Sequence, residues 1–160
     1  MRKKLRPILF VLFLQIMTGL FHLLLFNFGH PLNELTRHWP FVLKVFIISI
    51  YAALTYFVVG ILSMVALNFN EEYLKNIEYG LIALMVIFGA SFLAMSLHFS
   101  IYGRESTWVT YMVLNPLFGT AMYGRVPEGA WSLLWVTSVI VPSLFLYLGQ
   151  RFALLRSDKN

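Results

Sequence analysis

The chain has no cysteine and little charge, only 12% of its 160 residues being Asp, Glu, Lys or Arg, against about 25% in soluble domains. The first absence excludes disulfides, thiol redox chemistry, iron–sulfur clusters and cysteine-ligated zinc. The second excludes an ordinary solvated surface. HExxH and CxxCH patterns are also missing, and no carboxylate stands inside a long apolar run. Proton- and sodium-coupled carriers normally keep Asp, Glu or Arg within the membrane. Their lack here weighs against a coupled transporter acting alone. The net charge of +5 is not carried by a soluble basic domain, which argues against nucleic acid as a partner.

Most of the chain consists of four apolar runs: Pro7–Phe28, Pro40–Leu67, Tyr79–Tyr102 and Trp131–Gly149. A helix that crosses a bilayer needs about 20 mainly apolar residues. Three runs exceed that length and the fourth falls just short. The expected fold is therefore an all-α integral membrane protein: a single-domain bundle of four transmembrane helices with a short outer interfacial helix. The bilayer itself is the first partner.

Lys and Arg counts near the span ends set the expected orientation. With a cytoplasmic N-terminus, the inner side holds Arg2, Lys3, Lys4, Arg6, Lys75, Arg151, Arg156 and Lys159. The outer side holds Arg37, Lys44, Arg104 and Arg125. Eight against four favours cytoplasmic termini in a multi-pass protein of the cell membrane. Cleavage as a signal peptide is disfavoured, because the first apolar stretch is too long and no A-x-A-like site follows it. A fifth span at Thr107–Tyr123 would carry Asn115, Pro116 and Gly119 in its middle and would reverse the C-terminal charges. An interfacial or re-entrant helix over Thr107–Leu114, ended at Asn115-Pro116, fits better, since the residue before proline is disfavoured in the α region.

Polar side chains collect toward the outer side. Trp39, Trp108, Trp131 and Trp135 lie there, as headgroup anchors do. Gln15, Thr18, Gly19 and His22 recur at i, i+3, i+4 and i+7, one stripe of the first helix. Ala90, Ala94 and His98 recur at four-residue steps in the third span. Both stripes are expected to face the bundle, because small and polar residues mark helix contacts in lipid. His22 and His98 fall roughly 9 and 6 Å below the outer ends of their runs at 1.5 Å per residue. The plainer role for each imidazole is a neutral hydrogen-bonding group between helices. The alternative is ligation of haem or a metal, for which neutral imidazole is suited. Pro142 has no N–H, so the Ser138 carbonyl loses its helical partner and a bend is expected there.

The loop Gly103–Ala130 carries Arg104 and Arg125 in a short echo, Tyr102-Gly103-Arg104 and Tyr123-Gly124-Arg125. Two guanidinium groups near headgroup depth suit a phosphate or carboxylate. Three functions compete on these residues. The leading one is a non-enzymatic accessory, regulatory or assembly subunit, bound to another membrane protein or to copies of itself. The second is a haem-, metal- or small-ligand-binding redox module using His22 and His98, with Gln15 nearby. The third is an enzyme acting on lipid at the outer leaflet through Arg104 and Arg125, which lacks any recognisable nucleophile or acid–base pair. Reporter fusions test the topology. Junctions after Lys75 and Asn160 are expected to give cytoplasmic signals, and junctions near Asn33 and Gly119 external ones. An external signal at Asn160 overturns the four-span arrangement.

Overall fold

A computed structural model describes residues 2–26, 31–67, 76–102, 115–118 and 132–157. Within them the chain forms α1 (Arg2–Phe26), α2 (Pro31–Arg37), α3 (Phe41–Leu67), α4 (Ile77–Tyr102) and α5 (Ser132–Ser157), with no strand among the described residues. Four stretches are long and apolar enough to cross a membrane: Leu5–Leu25, Phe41–Val65, Ile77–Ala94 and Val136–Arg156. In hydrocarbon no water satisfies the backbone, so a spanning segment closes its hydrogen bonds within itself and is helical. Leucine and phenylalanine side chains such as Leu9, Phe13, Leu24, Phe46, Leu62, Leu93 and Leu155 stand exposed on the helix surfaces. In water such a surface would drive aggregation. In acyl chains it is the solvent-matched face.

The helix ends differ in detail from the apolar runs. α1 begins at Arg2, ahead of Pro7, and α5 continues to Ser157, past Gly149. Charged residues at a span end can stay helical while their heads reach the interface, so hydropathy alone stops short. The segment between the first two spans contains a short helix that the apolar pattern gave no reason to expect. α2 places Glu34 in its first turn and Arg37 in its last, with Arg37 Nη1 donating to Glu34 Oε2 at 3.5 Å. This orientation suits the helix dipole, with the acid at the positive end and the base at the negative end. The exposed pair contributes little by itself.

Contacts between helices define the order around the bundle as α1, α4, α5, α3 and back to α1. α1 and α4 run parallel, as do α3 and α5, and neighbours in sequence are antiparallel. The closest approach is between α3 and α5. A Cβ on Gly149 would collide with the Phe57 carbonyl oxygen, and one on Gly60 with the Leu146 carbonyl oxygen. The two backbones thus meet with nothing between them, the arrangement that small residues permit in lipid. At the lower end of the α1–α4 pair, a Cβ on Gly80 would sit 2.6 Å from Val11 Cγ2. The α1–α3 side is looser, bridged by long side chains such as Tyr56 and Gln15. The core joins Val11, Val45, Ile48, Ala52, Tyr56, Leu84, Phe88 and Leu146 with two residues from outside the spans, Leu117 and Phe118.

Hydroxyls inside the spans are mostly hidden on their own helices. Ser49 donates to Val45 O at 2.7 Å, Ser63 to Gly60 O at 2.7 Å, Ser91 to Phe88 O at 2.9 Å and Ser143 to Val139 O at 3.2 Å. Such back-bonding lets a serine enter hydrocarbon without an orphaned donor. Ser63 also accepts from Gln150 Nε2 at 3.4 Å, beside the glycine contact.

The glycine geometry makes a graded prediction. Gly149→Ala is expected to destabilise the bundle by about 1–3 kcal/mol through overpacking against rigid backbone. Gly19 faces only Pro116 at 3.8 Å, an ordinary contact. Gly19→Ala is therefore expected to be neutral or to stabilise by up to about 1 kcal/mol from helix propensity. Unfolding in mixed detergent–denaturant micelles, followed by circular dichroism, separates the two.

Candidate functional site

The polar stripe of α1 lies inside the bundle. Gln15, Thr18, Gly19 and His22 are all buried, and His22 is 0% exposed. Their spacing winds them onto one face, and that face meets α3. Tyr56 donates its hydroxyl to Gln15 Oε1 at 2.8 Å, joining the two helices at mid-depth. One or two turns higher, the His22 ring is surrounded by aromatic rings. Tyr51 lies edge-on at 5.7 Å between centroids, Phe21 at 5.9 Å and Tyr56 at 6.0 Å. Neither ring nitrogen of His22 has a hydrogen-bond partner among the described residues.

The second half of the site comes from the long loop. Residues 115–118 are buried, and a helical turn begins at Pro116. Pro116 rests on Gly19 of α1, while Asn115 Nδ2 donates to the Ser138 carbonyl of α5 at 2.8 Å. α1 and α5 are diagonal partners in the ring, so this turn occupies the middle of the bundle rather than its rim. Its level follows from helix rise: Gly19 is seven residues below the upper end of α1 and Ser138 six below that of α5. Both distances come to about 10 Å at 1.5 Å per residue. A segment this deep is re-entrant.

Asn115 lies here for a definable reason. Pro142 stands four residues after Ser138 and cannot donate to its carbonyl, which takes away the ordinary helical donor. An unpaired buried carbonyl costs about 1–3 kcal/mol. Only the amide nitrogen of Asn115 can donate to that oxygen, so its orientation is fixed and its own Oδ1 is left without a partner. In a membrane helix a neighbouring Ser or Thr can satisfy a carbonyl opened by proline. The donor is instead a residue 23 positions earlier in the chain.

The other expected site residues divide clearly. The third-span stripe does not turn inward, since Ala90 and Ala94 are exposed. The inward residues of α4 are Ile77, Gly80, Leu84 and Phe88, a face rotated away from that stripe. Large apolar residues won this face because they fill the core, whereas small-residue spacing marks any close helix contact, inside or outside the chain. The His98 side chain, Arg104, Arg125 and the Thr107–Leu114 helix lie outside the described residues. His38 is described and is exposed. Sequence reasoning missed Asn115 and Ser96 as polar members of the interior. For Asn115 a signal existed, namely a proline deep in α5 that requires a donor from elsewhere.

Fit to a haem or metal can be judged from the packing. Among the described residues no three His, Asp or Glu side chains come together. An axial imidazole must present a nitrogen to a planar slot, and His22 is fully enclosed with aromatic rings on several sides. The packing around His22 does not fit a haem. Comparisons with family models, with curated proteins and with solved structures give no match. Fold and site together define the class: a helical membrane protein of four spans, with a re-entrant turn in its interior.

The cap at Ser138 yields a rescue test. Asn115→Leu is expected to cost about 1–3 kcal/mol by removing the buried hydrogen bond to that carbonyl. Pro142→Ala supplies an N–H to the same carbonyl, so in the Asn115→Leu background it should recover part of the loss. Unfolding midpoints of the two single variants and the double variant check this, and additivity would contradict the shared carbonyl.

Proposed function

We propose that this chain is a small non-enzymatic subunit of a larger assembly in the cell membrane, accessory or regulatory in role, with both termini cytoplasmic. The observation that carries the reading is the outward face of α4. Val86, Ala90, Leu93, Ala94, Leu97 and Ile101 are exposed there and follow helical spacing. Ala90 and Ala94 make a shallow dent one turn long between larger apolar side chains. Small residues four apart are the means by which a further helix approaches closely in lipid, where van der Waals contact rather than water exclusion drives association. The chain's own tight contacts use other residues, Gly60, Gly149 and Gly80. The dent on α4 is thus left for a helix from another chain.

The chemistry of the interior supports the same view. Charge within the described spans is confined to their ends, as with Lys44 near the start of α3. Buried polar residues such as Gln15, Ser63 and Gln150 are used to join the chain's own helices. Cytoplasmic termini follow from the eight-to-four distribution of Lys and Arg.

The cysteine-free background provides a direct test. Ala94→Cys, labelled in native membranes with a photoactivatable thiol probe, is expected to trap a specific adduct with a second protein. Cysteine placed at Val65, on the exposed lower part of α3, serves as the control. No adduct beyond the control level removes the proposal. An adduct only of twice the chain's mass replaces the hetero-assembly with self-association. Ala94→Phe should reduce the adduct about tenfold or more if the dent seats a helix, equivalent to about 1.4 kcal/mol of binding energy.

A further inference from the structure

Polar atoms on three different segments are buried with no partner among the described residues: both ring nitrogens of His22, Ser96 Oγ and Asn115 Oδ1. They share a level. His22 is four residues below the upper end of α1, and Ser96 is six below that of α4. At 1.5 Å per residue these depths are about 6 and 9 Å, and Asn115 meets α5 at Ser138, about 9 Å below its upper end. α4 neighbours both α1 and α5, and the re-entrant turn spans the gap between those two helices. The three orphaned groups therefore lie at a similar depth, on α1, on α4 and on the turn between α1 and α5. Ser96 differs from Ser49, Ser63, Ser91 and Ser143, each of which donates to its own helix.

We propose that His22, Ser96 and Asn115 form one internal site for a small uncharged hydroxyl-bearing guest. The donor and acceptor balance sets the guest's chemistry. A neutral imidazole offers one N–H and one lone pair, a serine hydroxyl offers both functions, and the Asn115 carbonyl only accepts. A hydroxyl, which donates once and accepts twice, complements this set. An ion does not, because among the described residues no charged side chain stands with these groups and an uncompensated buried charge is far costlier than a neutral polar group. The rings of Tyr51, Tyr56 and Phe21 close the apolar side of the site around His22. One guest hydroxyl can pair up to three of these four atoms, which offsets most of the cost of leaving them unpaired in hydrocarbon. Water and a lipid glycerol hydroxyl share the required chemistry. The site stands whether or not the chain has a protein partner.

Solid-state NMR of the full chain, with 15N-labelled histidine, tests the site in bilayers of two compositions. Phosphatidylcholine has no free hydroxyl and phosphatidylglycerol has two. A His22 ring N–H that shows a cross-peak to water in both bilayers identifies the guest as water. A cross-peak to lipid protons in phosphatidylglycerol alone identifies a lipid hydroxyl. Ring nitrogens without a hydrogen-bond partner in both bilayers, or bonded to a side chain of this chain, overturn the proposal. The second measurement is a thermal double-mutant cycle in phosphatidylcholine and phosphatidylglycerol bilayers. His22→Phe and Ser96→Ala should each lower the melting midpoint by about 2–4 °C, and the double variant by less than the sum, because both lose the same guest. An unchanged or raised midpoint for His22→Phe, or strict additivity, overturns it.

Discussion

The Ser138 carbonyl is the point on which the upper half of this protein depends. Pro142 removes its helical donor, and in hydrocarbon no solvent molecule replaces it. Asn115 supplies the missing hydrogen bond and in doing so draws its own segment into the bundle. Pro116 then lies on Gly19, which has no side chain to block it, and Leu117 and Phe118 fill the core. One missing N–H thus organises contacts among α1, α5 and a loop. A proline usually read as a bend here acts as an anchor for a distant part of the chain.

The lower half is built on a different constraint. There α3 and α5 approach until carbonyl oxygens face glycine Cα atoms, and a single added methyl group would force them apart. Dispersion over such a contact is the main source of helix cohesion in lipid, since acyl chains are as apolar as the side chains they would replace. Gln150 and Ser63 add a polar contact beside the glycines. The two halves therefore have different characters: backbone packing below, and a polar interior with an inserted turn above. A molecule made this way is closely packed where α3 meets α5 and carries buried polar groups where α1 meets α3.

This division bears on function. A subunit that binds through an outward helix face needs a scaffold that does not itself rearrange, which the α3–α5 contact provides. The proposed interior site at the upper level would give such a subunit a place to hold a neutral molecule without exposing charge to lipid. Haem ligation at His22 is less compatible, because Tyr51 and Tyr56 lie against the ring.

The sequence by itself determined the class, the number of spans, their approximate limits and the inward face of α1. These are local properties: length and hydropathy set the spans, and residues at i, i+3, i+4 and i+7 share a face whatever the neighbours are. It marked Pro142 as leaving an open carbonyl, but not who would fill it. The third-span stripe was misassigned for a physical reason, because alanines at four-residue steps suit a helix contact on either side of the chain. Only the tertiary structure decided that Ile77, Leu84 and Phe88 point inward while Ala90 and Ala94 point out. It alone brought Asn115 to Ser138 and left His22, Ser96 and Asn115 with unpaired atoms at one level. Such pairings depend on which helices become neighbours, and that is fixed by the packing of whole surfaces rather than by any local spacing of residues.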